Sequence, residues 1–208
     1  STFNGKGDAF YAKLGPLARS CVFMTLLGGG QWDYGSAIAL DANRSAYIAG
    51  TTQSPNFPKK NAYDKTLGGT SDAYVAKFAP NGKSLVYSTL IGGSDDELTY
   101  DLALDGENSA CVVGRTQSSD FPCLGASDDS YNGYYDAFIL KLSPSGKTLV
   151  FSTFLGGAMN DYAMGVCLDA LGAVYVGGET YSSGFPVYKG FDMGFNGGEH
   201  DVFVAKFK

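Results

Sequence analysis

Three acidic residues hold one place relative to a Gly-Gly pair: Asp33 follows Leu27-Gly28-Gly29, Glu97 follows Ile91-Gly92-Gly93, and Asp161 follows Leu155-Gly156-Gly157. Asp95, Asp96 and Asn160 stand beside them. Hard cations such as calcium take several carboxylate and carbonyl oxygens, and sugars bind similar groups, so an acidic arc on one rim is a candidate cation or sugar site. None of the three copies has the D-x-[DN]-x-[DN]-G spacing of a calcium loop, and acids after Gly-Gly are ordinary turn formers. The expectation is therefore structural, with no metal and no cofactor. Asp8, Asp72, Asp136 and Asp201 each open an alternating apolar segment and read as caps that accept local amides.

Nucleophilic catalysis finds little support. His200 is the one histidine, so any Ser-His-Asp or Cys-His relay must use it, and the chain has no G-x-S-x-G elbow. The glycine runs at Gly28 and Gly92 lack a lysine for a phosphate and carry acids that would repel one. The cysteines at 21, 111, 123 and 167 match neither a CxxC redox pair nor a zinc pattern. Cys21 and Cys167 stand where other copies have Leu or Ala and read as small core residues, while a Cys111 to Cys123 disulfide stays open. Aromatic residues are the more promising binding groups. Tyr131, Tyr134, Tyr135, Phe191 and Phe195 crowd two long loops, and Trp32 precedes Asp33; exposed rings of this kind stack on sugars or anchor a protein partner, and blade packing is the plainer use for them. The binding candidates are Trp32, Asp33, Asp96, Glu97, Asp161, Tyr134 and Tyr135.

What positions these residues is a repeat. Asp8-Ala-Phe-Tyr-Ala-Lys-Leu14 returns as Asp72 to Phe78, Asp136 to Leu142 and Asp201 to Phe207, at offsets of 64, 64 and 65. Phe57-Pro58, Phe121-Pro122 and Phe185-Pro186 keep the same step, as do Asp41, Asp105 and Asp169. The extra residue falls in the last loop, near Gly197 to His200.

Each unit reads as four short strands: a at 72–78, b at 85–91, c at 100–104 and d at 111–116, with equivalents one period away. Pro80-Asn-Gly82 and Pro144-Ser-Gly146 form the a to b turns, and Asp-led turns join c to d. Strand c is short, apolar and rich in small residues, which puts it in the most crowded place. Its Leu40, Leu104 and Leu168 are expected in the core, with truncation to Ala costing about 2–5 kcal/mol each.

Composition agrees with this reading. Glycine makes up 29 of 208 residues and charged residues 17%, about twice and two thirds of their usual shares. Long helices are not expected, whereas 44% hydrophobic residues suffice for a core. The net charge of −6 argues against nucleic acid and anionic membranes as partners, and no apolar run is long enough for a membrane-spanning helix.

Antiparallel four-stranded units at a fixed period with Gly-rich links are the signature of propeller blades. The period exceeds the roughly 40–50 residues of WD40 and kelch repeats, and Trp32-Asp33 occurs once, so the WD pair is a false flag. The repeat resembles the bacterial SBBP β-propeller family at Tyr87-Ser-Thr-Leu-Ile-Gly-Gly93, Asp33-Tyr-Gly35, Ala39-Leu-Asp41, Tyr47-Ile-Ala-Gly50, Ser118-Ser-Asp-Phe-Pro122 and Asp72 to Phe78. That resemblance implies a propeller fold and an exported or cell-surface bacterial protein, and it brings no catalytic residues. Glu97-Leu98 and Cys111 depart from its pattern.

The fold class expected is thus all-β, a propeller-type array of about three 64-residue repeats in one domain. An extra strand a lies at 1–14, and the repeats follow at 15–78, 79–142 and 143–208. Strand a occurs four times and the others three times each, so the ends are incomplete and complementary. The expected function is a secreted or cell-surface structural module, not an enzyme, that self-assembles into a fibre, ring or surface layer as a homo-oligomer. A carbohydrate- or protein-binding module, with a glycan or surface protein as partner, and a fragment of a larger secreted propeller enzyme are the alternatives.

Overall fold

A computed structural model describes residues 3–208; Ser1 and Thr2, at the start of the extra strand, lie outside the described residues. Among the described residues thirteen strands are present in chain order: β1 (Ala9–Leu14), β2 (Cys21–Leu27), β3 (Asp33–Leu40), β4 (Ala46–Thr52), β5 (Asp72–Phe78), β6 (Leu85–Ile91), β7 (Glu97–Leu104), β8 (Ala110–Thr116), β9 (Asp136–Leu142), β10 (Leu149–Leu155), β11 (Asp161–Leu168), β12 (Val174–Thr180) and β13 (Asp201–Phe207). They form four antiparallel sheets: the hairpin β1-β2, the complete blades β3-β4-β5-β6 and β7-β8-β9-β10, and the three-stranded blade β11-β12-β13.

Within a blade the order is c, d, a, b, with strand c on the inner edge. Successive c strands, β3, β7 and β11, pack beside one another. They run longer than their apolar stretch suggested, because the acid after Gly-Gly is itself the first residue of the strand. Each bulges at the same place, between Gly35 and Ala37, Thr99 and Asp101, and Ala163 and Gly165. A bulge adds a residue and bends the strand, so strict alternation is lost there.

Three hydrophobic cores follow, one at each sheet-to-sheet junction. The hairpin gives Ala9, Tyr11 and Leu27 to a core shared with Ile48, Tyr74 and Phe78 of the first blade. Tyr47, Ala49, Val75 and Ile91 of that blade meet Leu102, Val112, Phe138 and Phe154 of the next. Val113, Ile139 and Leu155 then meet Val166, Val176 and Phe203 of the last blade. Alternate residues of one strand thus serve two cores, since successive side chains point to opposite faces.

This layering corrects three expectations. Leu40 is 62% exposed, and Leu104 and Leu168 are only half-buried. Leu104 and Leu168 lean on the preceding blade, but Leu40 faces a hairpin that has no c or d strand to cover it. Cys21 and Cys167 are exposed for the same reason at either end, Cys21 on the outer face of the hairpin and Cys167 on the far face of β11. All four cysteines are free thiols, so Cys111 and Cys123 form no disulfide. Cys111 is buried, and burial pushes its thiol up to about 12.

Candidate functional site

The b to c and d to a loops gather at one end of every blade, and the acidic residues organise them. Asp33 accepts the Gly29 amide at 2.7 Å, the Ser54 hydroxyl at 2.9 Å and the Thr52 hydroxyl. Ser54 in turn holds Gln31 through its hydroxyl at 2.9 Å. Glu97 repeats the pattern with Gly93, Ser118 and Thr116, and Ser118 holds Asp95. Asp161 does so with Gly157 and Ser182, and Ser182 holds Met159. One carboxylate therefore ties a tight glycine loop to the end of strand d. Asp72 and Asp136 brace the neighbouring loop by accepting the amides of Gly68 with Gly69 and of Asn132 with Gly133, while Asp8 and Asp201 accept those of Asn4 and Asn196.

The two acids of a junction close on the first glycine of the Gly-Gly pair. A Cβ on Gly92 would lie 2.7 Å from the Asp72 carboxyl carbon and closer still to Glu97, and one on Gly28 would lie 2.6 Å from Asp8 and 2.8 Å from Asp33. Only glycine fits between them. Burial raises the carboxyls of Asp72 and Asp136 to about 6 and that of Glu97 to about 7; the charges of Asp64 and Asp96 add to the rise at Asp72, that of Asp161 to the rise at Asp136 and that of Asp72 to the rise at Glu97. Asp161 is raised by burial too.

Asp33, Glu97 and Asp161 are thus buried beneath the loops instead of lining an open rim. Protein hydroxyls and amides engage both carboxylate oxygens of Asp33 and Glu97 and one of Asp161, whose Oδ1 is buried without a hydrogen-bond partner, and the described residues hold no group of three or more His, Cys, Asp or Glu that could bind a metal. Their chemistry is loop closure.

A small cleft of about 130 Å³ opens between the first two blades at this end. Asp96, Glu97 and Tyr135 line it together with Tyr34, Gln53 and Arg115; Trp32, Asp33, Asp161 and Tyr134 do not. Trp32 stacks on Tyr34 at 6.1 Å, just outside. The Arg115 guanidinium lies 4.1 Å from the Tyr135 ring and 5.2 Å from the Tyr162 ring. Its Nε is buried without a hydrogen-bond partner, and no ion pair engages it among the described residues. Tyr134 stands exposed, edge-on to Tyr135 at 4.8 Å, and Tyr162, Tyr181 and His200 continue the row of rings. Sequence reading missed Arg115, although it is conspicuous as the cation where the other copies have Thr51 and Glu179.

No curated protein matches the chain. A family model does match, over β2, β3, β4 and the start of the following loop: residues 22–58 are similar to the SBBP β-propeller repeat.

Proposed function

We propose that the chain is a secreted or cell-surface structural module that assembles with copies of itself, the first end of one molecule stacking on the last blade of the next. One observation carries this reading. The hairpin end exposes Phe10, Leu14, Ile38 and Leu40, whose equivalents inside the array pack on a preceding blade. The last blade exposes Val202 and Val204, whose equivalents pack on a following one. Each end is half of a junction that the chain builds between its own blades. An apolar groove of about 510 Å³, lined by Tyr11, Leu14, Ile38 and Leu40, marks the first half. Such a contact joins different surfaces, so it yields a ring where the rotation closes and a filament where it does not.

Light scattering and electron microscopy over a concentration series test the proposal. Multimers that disappear in Phe10→Asp and in Val204→Asp support it; a monodisperse monomer at every concentration removes it.

The Arg115 cleft favours a second reading, a binding module for an acidic sugar or a peptide carboxylate. A planar guanidinium lying against two adjacent rings is suited to donate two parallel hydrogen bonds to a carboxylate. Glycan-array binding lost in Arg115→Ala and Tyr135→Ala supports this reading, and equal binding by the variants removes it.

A further inference from the structure

The cleft over the two complete blades owes its chemistry to side chains that the repeat itself does not need. The residue before the capping acid of strand a has one backbone duty in each copy. The carbonyls of Gly7, Ser71 and Tyr135 accept the amides of Asp33, Glu97 and Asp161 at 2.8, 2.9 and 2.8 Å. Glycine, serine and tyrosine perform it alike, so the Tyr135 ring is surplus to the fold. Arg115 departs further. Its counterpart Thr51 stitches two blades together: its hydroxyl accepts the Thr99 amide at 3.0 Å, and the Thr99 hydroxyl donates to the Gly50 carbonyl at 2.9 Å. At the next junction Arg115 and Ala163 hold those places, and neither has a hydroxyl with which to repeat the stitch. A structural hydroxyl has given way to a guanidinium that lies against Tyr135 and Tyr162.

Every residue that lines the cleft belongs to the two complete blades, so neither end of the chain enters the site. Arg115 supplies a planar fork of donors, while Asp96 and the Gln53 amide supply acceptors. Asp96 takes only the Ser71 hydroxyl, at 3.3 Å, and keeps lone pairs for more donors. The matching ligand carries one carboxylate and several hydroxyls. A doubly charged phosphate meets stronger repulsion from Asp96, and a peptide terminus brings few donors for Asp96 and Gln53. With about 130 Å³ the cleft admits a unit the size of one sugar ring. Open rings stand on both flanks. Exposed Trp32 stacks on Tyr34 on one side, and exposed Tyr134 meets Tyr135 on the other, Tyr34 and Tyr135 being walls of the cleft.

We infer that the cleft is the central subsite for an acidic polysaccharide. One uronic-acid unit places its carboxylate on Arg115 and its hydroxyls on Asp96 and Gln53, and the neighbouring sugars lie over Trp32 and Tyr134. This rests on the binding reading of the Arg115 cleft and is independent of assembly. Because rings flank the cleft on both sides, the ligand is an internal stretch of a chain and not its tip.

Calorimetric titration of the intact chain tests this with pectate, alginate and hyaluronate fragments, as single uronate units and as oligomers of three or more sugars. At least one uronate oligomer should bind roughly tenfold tighter than its monomer, through the flanking rings. Its neutral counterpart, with the carboxylate reduced to an alcohol, should not bind. Arg115→Ala should abolish binding, and Arg115→Lys, which keeps the charge and loses the fork, should weaken it roughly tenfold. Trp32→Ala and Tyr134→Ala should each weaken the oligomer several-fold and leave the monomer unchanged, a split that a merely structural role does not produce. No binding by any uronate oligomer overturns the inference, as does equal binding by the neutral oligomer or by dextran sulfate. A monomer that binds as tightly as its oligomer removes the flanking subsites and with them the polysaccharide. Acetylated tetra-alanine with a free carboxylate separates the two levels: if it binds through Arg115 and no uronate does, the carboxylate cleft stands and the sugar falls, and if neither binds, both fall.

Discussion

Strands β5 and β13 have nearly the same sequence, Asp-Ala-Tyr-Val-Ala-Lys-Phe and Asp-Val-Phe-Val-Ala-Lys-Phe, and differ in almost everything a side chain experiences. Val75 is fully buried between two blades, while Val204 is 80% exposed. β1, a third copy, shows the reverse pattern to β13: Tyr11 is covered and Phe10 is 67% exposed. Local sequence gives all three the same strand, but burial depends on whether a sheet lies against each face. Since burial supplies the main driving force for folding, one motif contributes fully in the interior and by half at either end.

Truncating equivalent aromatic residues puts the sharpest test on this contrast. Phe138→Ala should cost about 3–5 kcal/mol, because the ring is buried in the central junction, and Phe10→Ala well under about 1 kcal/mol. Chemical denaturation measures both, and equal costs would mean that the hairpin end is covered in solution. Leu102→Ala and Leu40→Ala form the second pair, at about 2–5 kcal/mol and under about 1 kcal/mol, for two residues on the same strand of adjacent blades.

Buried acids of the junctions make a third contrast, between pH values. Asp72, Glu97 and Asp136 have folded-state values of about 6 to 7, raised from 3.8 or 4.5, so the folded chain holds those protons more tightly than the unfolded one. Their contribution is complete below pH 4 or so and declines as the pH rises through 6 to 7. Asp41 and Asp105, lowered by backbone amides and a lysine against the cost of burial, act oppositely and lose their contribution in acid. The melting temperature should therefore peak in mildly acidic buffer and fall toward pH 8. Glu97→Gln should flatten much of that fall; an unchanged profile would show that Glu97 does not titrate in this range.

Smaller effects are expected at the opposite end of the blades, where one ion pair recurs three times. Lys141 and Asp105 meet at 2.7 Å with little exposure, whereas Lys206 and Asp169 are 3.5 Å apart and open to solvent. Asp105→Asn should cost up to about 1 kcal/mol, and Asp169→Asn less than that in the same denaturation series. Millimolar calcium should produce the smallest change of all, no rise in melting temperature, since protein donors occupy the carboxylates of Asp33 and Glu97 and the junction acids are buried. A rise reversed by chelation would reopen the cation site.

Much of this architecture was legible in the chain. The 64-residue period, the four strands per unit, the turns between them and the capping role of Asp72 and Asp136 all follow from local patterns. So does the strand order, once the small residues of strand c place it on the inner edge. Hidden from that reading were the environments of single positions. Leu40, Leu104 and Leu168 are the same letter at the same phase, yet their exposure differs because their neighbours belong to other blades. Cys21 and Cys167 misled for the same reason. Arg115 acquires its meaning from Tyr135 and Tyr162, which reach it across a loop and from the next blade. Sequence alone determined the repeating strands, because turn chemistry and alternation act over a few residues; tertiary structure alone decided which copies of the repeat are covered, because burial requires a second sheet against the first.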